Sequence, residues 1–143
     1  MAVELDHSFS TTKSIDESFE AILDLERVVP AVEGGSVLET TGPTSVKAQI
    51  LMKMGAMSMN MVGTVEIVEH DAEAHRAVLR VKAREAGGQG HANADVTFQL
   101  NDGGGTVHTS AQITGKAASM GEGVVIGVLD GLITDFTGKL GEI

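Results

Sequence analysis

Cysteine is absent from the 143 residues of the chain, and so are tryptophan and tyrosine. Without cysteine the chain can form no disulfide, no thiolate nucleophile and no zinc site built on sulfur. Because the only aromatic side chains besides histidine are four phenylalanines, the interior has to be filled by small or flexible side chains. The core is therefore expected to be either thin or incompletely filled.

Basic residues are scarce as well: 10 Lys and Arg stand against 20 Asp and Glu, which gives a net charge of −10. Such a surface repels polyphosphates and anionic bilayers, so we expect no nucleic acid partner. No run reaches the roughly 20 apolar residues of a membrane-spanning helix, and the opening residues MAVELDHSF do not resemble an export signal. We expect one soluble, cytoplasmic domain that covers residues 1–143.

The first 35 residues combine one strand with two short helices. Residues 3–10 alternate between apolar and polar side chains, which predicts a half-buried strand with His7 on its apolar face. A capping-box pattern that begins at Ser14 predicts a helix that ends near Leu23. A second short helix is expected to stop at Pro30, since proline disfavours helical backbone in the residue before it.

From residue 35 onward, alternating segments separated by turn residues predict six further strands. A two-residue turn at 55–56 places Met52 opposite Met59, and a turn at 87–88 places Arg80 opposite Asp95. In this register the apolar faces of neighbouring strands coincide. The second half of the chain is therefore predicted to be an antiparallel meander with one apolar face.

Three loops of the meander follow from the same register. The turn between the second and third strands is expected around residues 41–44. The loop after His70 must contain an odd number of residues, about five, to keep the apolar faces together. A four-residue loop at 102–105 is expected before the last strand.

Beyond Gly115 the apolar period becomes helical and predicts a long helix over about residues 118–139. Its glycines at 123, 127 and 131 favour close packing of the helix on the sheet, and a homodimer seam is the alternative. The predicted apolar stripe consists of Val124, Val128, Leu132, Phe136 and Leu140, widened by Val125, Leu129 and Ile133.

A long sheet with one apolar face needs a cover, and the last helix has the apolar stripe to provide it. We therefore predict an α+β fold in which a curved, seven-stranded antiparallel sheet wraps around the C-terminal helix. Because alanines and methionines dominate the inner face, we expect an apolar cavity rather than a filled core. The candidate ligand-binding residues are His7, Ile50, Met52, Met59, Met61, Leu79, Val81, Ala94, Val96, Phe98, Ala111, Ile113, Val124, Val128 and Leu132.

Polar groups are few on the predicted inner face, where only His7 and Thr109 occur. The five histidines show no metal-binding spacing, so we expect no metal, no cofactor and no catalytic residue. His7 can either hydrogen-bond the polar head of a guest or be a satisfied core histidine. The basic residues of the fifth strand, Arg76, Arg80, Lys82 and Arg84, are predicted to form a paired, solvated outer face with Glu66 and Asp95.

Three segments of the chain resemble the CoxG family of accessory proteins of carbon monoxide dehydrogenase. They are DLERVVPAVEG at 24–34, GGQGHANADVTFQL at 87–100 and GGGTVHTSAQITGKAASMGEGVV at 103–125. The resemblance implies the helix-grip fold of the START-like ligand-binding superfamily. It also implies an accessory role beside a molybdenum hydroxylase, either in membrane recruitment of the enzyme or in carrying a quinone.

The resemblance leaves several functions open. Longer members of the family continue into a membrane-anchoring helix, whereas this sequence ends at Ile143, so we expect no transmembrane anchor in this chain. A carrier of a quinone or another lipid-like molecule is the first hypothesis. An assembly adaptor without a ligand is the second, and a cyclase-type enzyme is the third.

Overall fold

The computed structural model describes residues 1–54 and 56–142, so Gly55, in the predicted turn at 55–56, lies outside the described residues. Seven strands and four helices follow one another along the chain. They are β1 (Ala2–Ser10), α1 (Ile15–Leu23), α2 (Leu25–Ala31), β2 (Gly35–Gly42), β3 (Ser45–Met54), β4 (Met57–Asp71), β5 (Arg76–Glu85), β6 (Gly90–Asn101), β7 (Gly104–Gly115), α3 (Lys116–Ser119) and α4 (Glu122–Lys139).

The seven strands form one antiparallel sheet in the order β1-β7-β6-β5-β4-β3-β2. The two strands that are sequence neighbours of the short helices, β1 and β2, therefore lie at opposite edges. The curved sheet and the long C-terminal helix confirm the predicted α+β architecture. Only the first strand departs from simple meander order, because it pairs with the last one.

Local signals account for the two short helices. The side chain of Ser14 caps α1 by accepting a hydrogen bond from the backbone N–H of Glu17 at 3.1 Å, as the capping-box pattern predicts. The predicted stop at Pro30 is wrong, because α2 continues through Ala31. Proline is tolerated there since it lies in the last turn, is exposed, and is flanked by the buried side chains of Val29 and Ala31.

The strand register agrees with the prediction at the centre of the sheet. Met52 pairs with Met59, and Arg80 pairs with Asp95. The expected odd loop after His70 is wrong, however. A β-bulge between Ile67 and Glu69 shifts the register by one residue, so a four-residue turn at 72–75 suffices.

Two other turns are tighter than expected. Asn101 pairs with Gly104, so the loop before β7 has two residues rather than four. Gly42 likewise pairs with Ser45 across a two-residue turn. Both corrections leave the inner faces unchanged, because shortening a hairpin loop by two residues preserves the alternation of side chains.

The predicted long helix is divided in two. The chain breaks at Gly121, whose φ of +103° lies outside the helical range, and α4 begins at Glu122 rather than near Ala118. The buried core is divided as well. One cluster, the aromatic end, contains Phe19, Phe98 and Phe136, and the other, the methionine end, contains Met59 and Met61.

Candidate ligand-binding site

A cavity of about 270 Å³ lies between the sheet and the helices that cover it. Strands β3 to β7 form one wall, while α4 and the last residues of α2 form the other. For comparison, an apolar cavity of about 150 Å³ is large enough to bind benzene. The space therefore has the volume to admit a guest larger than a single aromatic ring.

Small side chains keep this space open. Ala48, Ala83, Ala92, Ala94 and Ala111 all line it, at positions where larger residues would reach toward α4. Their strands bring them together because residues two apart in a strand share a face and the paired strands are in register. The cavity is thus a consequence of alanine on the inner face of several neighbouring strands.

Most of the predicted ligand-binding residues line the cavity. The sheet supplies them at alternate positions, as the register requires, and α4 supplies one. The residues that the structure brings together are Ile50, Met52, Met59, Met61, Leu79, Val81, Ala94, Val96, Phe98, Ala111, Ile113 and Leu132.

Val124 and Val128 are not among the residues that line the cavity, and Val124 is 38% exposed. The inner face of α4 is centred instead on Val125, Leu129 and Ile133. Each helical residue turns the side-chain direction by about 100°, so a displacement of one position moves a residue to the helix flank. The break at Gly121 separates the rotation of α4 from that of the chain before it.

Residues from α2 and the position just after it also line the cavity, and sequence reasoning did not include them. Val28, Val29 and Val32 close the side of the space next to β2. The signal for them was present, since three valines within five residues at a short helix indicate a buried face. Its target could not be read from the sequence, because packing of α2 against the sheet depends on the tertiary fold.

His7 does not line the cavity. Its Nε2 donates a hydrogen bond to Oδ1 of Asp130 on α4 at 2.7 Å, while its side chain is only 11% exposed. Of the two interpretations of His7, the structure agrees with a core histidine that has a protein partner. The proposed contact with the head of a guest is not supported, because the imidazole is directed to the helix.

Charge is absent from the described part of the lining, which contains no Asp, Glu, Lys or Arg. Among the side chains with inward parity on the sheet, Thr109 carries the polar group, and it is 4% exposed. The other polar lining residues, such as Asn93 and Thr114, alternate to the outer face and are exposed. The interior is thus an apolar environment with one hydroxyl.

The glycine stripe of α4 faces solvent rather than the sheet. A Cβ atom added at Gly123, Gly127 or Gly131 would meet nothing within 4 Å in the described structure. Close packing of these glycines on the sheet is therefore wrong. The apolar flank of α4 turns inward and leaves the glycines on the opposite side.

The outer face of β5 is paired at only one end. Arg80 donates hydrogen bonds to both carboxylate oxygens of Asp95, and this contact lowers the pKa of the Asp95 carboxyl below its usual value. Arg76 forms an ion pair with Glu69. Lys82 and Arg84 have no ion-pair partner among the described residues, so the predicted paired face covers half of the strand.

Two further features bear on the class of protein. The described residues contain no cluster of His, Asp and Glu that could hold a metal ion. No helix within residues 1–54 and 56–142 is long and apolar enough to cross a membrane.

A curved seven-stranded sheet, two short helices after the first strand and a long C-terminal helix over an apolar cavity define a helix-grip protein. The family model for the G subunit of carbon monoxide dehydrogenase (CoxG) matches residues 8–142. The chain belongs to this family. No curated protein matches the sequence well enough to be called a relative.

Known structures share the fold at low sequence identity. A conserved protein from Geobacillus kaustophilus is 20% identical, with a TM-score of 0.79 over 99% of this chain and 93% of that one. The Zhui aromatase/cyclase from Streptomyces sp. R1128 is 10% identical, with a TM-score of 0.63 over 98% and 94% of the two chains. Norcoclaurine synthase from Thalictrum flavum is 11% identical, with a TM-score of 0.53 over 100% and 96%. These likenesses establish the fold alone.

Proposed function

We propose that the chain is a non-enzymatic accessory protein that binds a hydrophobic small molecule, a quinone or another lipid-like compound, in the cavity. The observation that carries the proposal is an apolar space of about 270 Å³ beneath α4. Closing such a space with larger side chains would stabilise the protein, so a chain that keeps alanine at Ala94 and Ala111 retains room for a guest.

The partner is proposed from the family. Membership in the CoxG family supports a role beside a molybdenum hydroxylase of the carbon monoxide dehydrogenase type. A cytoplasmic location belongs to the same proposal. Fractionation of cells that express the chain, followed by capture of its partners, would check both statements.

A non-enzymatic role is favoured over a cyclase-type activity by the chemistry of the lining. General acid–base catalysis needs a titratable group positioned at the reacting atoms. The described lining residues include no carboxylate and no amine, and His7 is directed to Asp130 instead. An enzyme of this fold would have to work with Thr109 and with groups at the rim of the cavity such as His91, which is exposed.

Native mass spectrometry of the purified protein tests the proposal directly. We expect an apolar molecule to co-purify and to be lost in Ala94→Trp and Ala111→Trp, which fill the cavity. Ala72→Trp, at an exposed turn position, is the matched control and should retain the guest. Because the chain has no native tryptophan, emission from each introduced indole also reports whether it is buried. Equal guest occupancy in all the variants would contradict the proposal.

A second candidate function is an assembly adaptor that docks the hydroxylase without a ligand. The outer face of the sheet favours it, because Lys82 and Arg84 are exposed and unpaired in the described structure. Lys82→Glu combined with Arg84→Glu should weaken binding to purified hydroxylase at least tenfold if this face docks an acidic partner. Arg76→Glu, at the paired end of the strand, is the control.

A homodimer remains part of the proposal for partners. The solvent-facing glycines of α4 would let a second helix approach closely. Light scattering coupled to size exclusion measures the mass, and Gly127→Glu should convert any dimer at this helix to a monomer. An unchanged mass in this variant would exclude this helix as the seam.

A further inference from the structure

Thr109 occupies an exceptional position on the inner face of β7. Its neighbours on the same face of the strand are Val107 and Ala111, and across the sheet it pairs with Leu5 on β1 and Val96 on β6. All four are apolar. A threonine in this place puts a hydroxyl in an environment that valine would fill at the same size.

The hydroxyl oxygen of Thr109 is buried and has no hydrogen-bond partner among the described residues. A buried polar group without a partner is unfavourable, and in native proteins nearly all such groups are satisfied. Thr109 also lines the cavity. Rotation about its Cα–Cβ bond exchanges the hydroxyl with the methyl group, so the oxygen can be presented to a molecule in that space.

We propose that the Thr109 hydroxyl is the hydrogen-bonding group for the guest, and that the guest is a hydrophobic molecule with a neutral oxygen, such as a ketone, quinone or alcohol. This inference rests on the proposed function, since it concerns the same cavity. A carboxylate or phosphate at Thr109 is excluded because no Lys or Arg lies among the described lining residues to balance its charge. A pure hydrocarbon would leave the hydroxyl unsatisfied.

The position of Thr109 also sets the orientation of the guest. The next inward-facing pair toward the aromatic end is Phe98 and Val107, and the rings of Phe98 and Phe136 pack edge to face there, 6.2 Å apart. At the methionine end, Met52 is only half-buried. A guest bonded to Thr109 therefore lies with its oxygen toward the aromatic end and its hydrocarbon remainder toward the methionine end.

A pair of matched probes tests the assignment. 1-Tetralone and tetralin share a two-ring carbon skeleton and differ by one ketone oxygen. Their Kd values are measured by calorimetry with the unmodified protein and with Thr109→Val, which keeps the shape and removes the hydroxyl. Thr109→Ser keeps the hydroxyl, and Thr106→Val removes a hydroxyl from an exposed position on the outer face of the same strand.

The quantity compared is the ratio of the two affinities, because it cancels general effects of a substitution on the cavity. We expect the preference for the ketone to fall roughly five- to tenfold in Thr109→Val, while Thr109→Ser and Thr106→Val keep it. An unchanged ratio in Thr109→Val, with both probes bound, overturns the role of Thr109 and leaves the proposed function intact. If Thr109→Val does not fold, Thr109→Ala gives the same comparison.

The orientation has its own readout. In the bound ketone, the aromatic proton next to the carbonyl should give nuclear Overhauser effects to the Thr109 methyl group, and the far ring edge should give them to methionine methyl groups. The reverse pattern overturns the orientation. Failure of the unmodified protein to bind either probe, at concentrations near their solubility, would instead contradict the proposed function.

Discussion

The imidazole of His7 and the carboxylate of Asp130 join the first strand to the last helix, with 2.7 Å between Nε2 and Oδ1. The two residues are 123 positions apart in the chain, so the contact forms only when the edge of the sheet meets α4. Its histidine is largely buried and its carboxylate is exposed. The contact thus connects the cover of the cavity to the wall beneath it.

Removal of this contact should loosen α4. Asp130→Ala is expected to lower the free energy of unfolding by about 1 kcal/mol, because the buried imidazole loses its acceptor. A double-mutant cycle with His7→Ala, measured by urea unfolding, isolates the pair from the packing lost with the ring. Glu122→Ala, at an exposed position in the first turn of the same helix, is the control. Additive effects of the two substitutions would contradict coupling.

The pH dependence of stability should carry a contribution from His108. Hydrogen bonding to Asp6 at 2.7 Å, together with the nearby charges of Asp6 and Glu4, raises the pKa of His108 above its ordinary value of 6.5. A raised pKa in the folded state means that the stabilisation is complete below pH 6.5 and is lost as pH rises through the folded pKa. Since the three side chains are exposed, the effect is small.

His108→Gln isolates this effect. Its free energy of unfolding should lie below that of the unmodified protein at pH below 6.5, and the two curves should converge as pH increases. Urea titrations across this range measure the difference, and NMR titration of the ring measures the pKa itself. A gap that widens toward high pH would contradict the assignment.

Two glycines should respond to alanine in opposite directions. A Cβ at Gly63 would overlap the backbone of Lys82 and Ala83 on the neighbouring strand, whereas a Cβ at Gly127 meets open space. Gly127→Ala should therefore raise the free energy of unfolding by about 0.5–1 kcal/mol, through lower backbone entropy of the unfolded chain. Gly63→Ala should lower it by about 1–3 kcal/mol through displacement of the strands. Thermal unfolding of both variants measures the contrast, and equal shifts would refute it.

Filling the cavity should exchange guest binding for stability. Ala94→Leu adds apolar surface in an underfilled space, so its free energy of unfolding should rise by about 0.5–2 kcal/mol while guest occupancy falls. Ala72→Leu, at an exposed turn, should change neither quantity. Stability is read from urea unfolding and occupancy from native mass spectrometry. A destabilised Ala94→Leu would indicate that the space around Ala94 is already filled.

Local pattern was sufficient to predict the strands and their pairing. The alternation from residue 45 to residue 113 defined an inner face, and the opposition of Met52 and Met59 followed from the requirement that apolar faces coincide. The bulge after Ile67 could not be predicted in this way, because a bulge and an odd loop restore the same register. Pairing parity alone does not distinguish them.

Helix rotation was predicted less well than strand pairing. The stripe through Val124 and the inner face around Val125 differ by one residue, and both read as apolar in a helix so rich in valine and leucine. Only the break at Gly121 and the contacts with the sheet select between them. The valines of α2 were missed for a related reason, since their position above the cavity depends on where the helix crosses the sheet.

By itself, the amino-acid sequence determined the α+β class, the apolar inner face and the shortage of bulky side chains that leaves the interior underfilled. These are properties of side-chain size and of the two-residue period of a strand. The tertiary structure alone decided that His7 turns to Asp130, that Thr109 is left without a partner among the described residues, and that the glycines of α4 face outward. The reason is physical: each of these depends on the rotation and position of a helix relative to a sheet, which are set by packing between residues far apart in the chain.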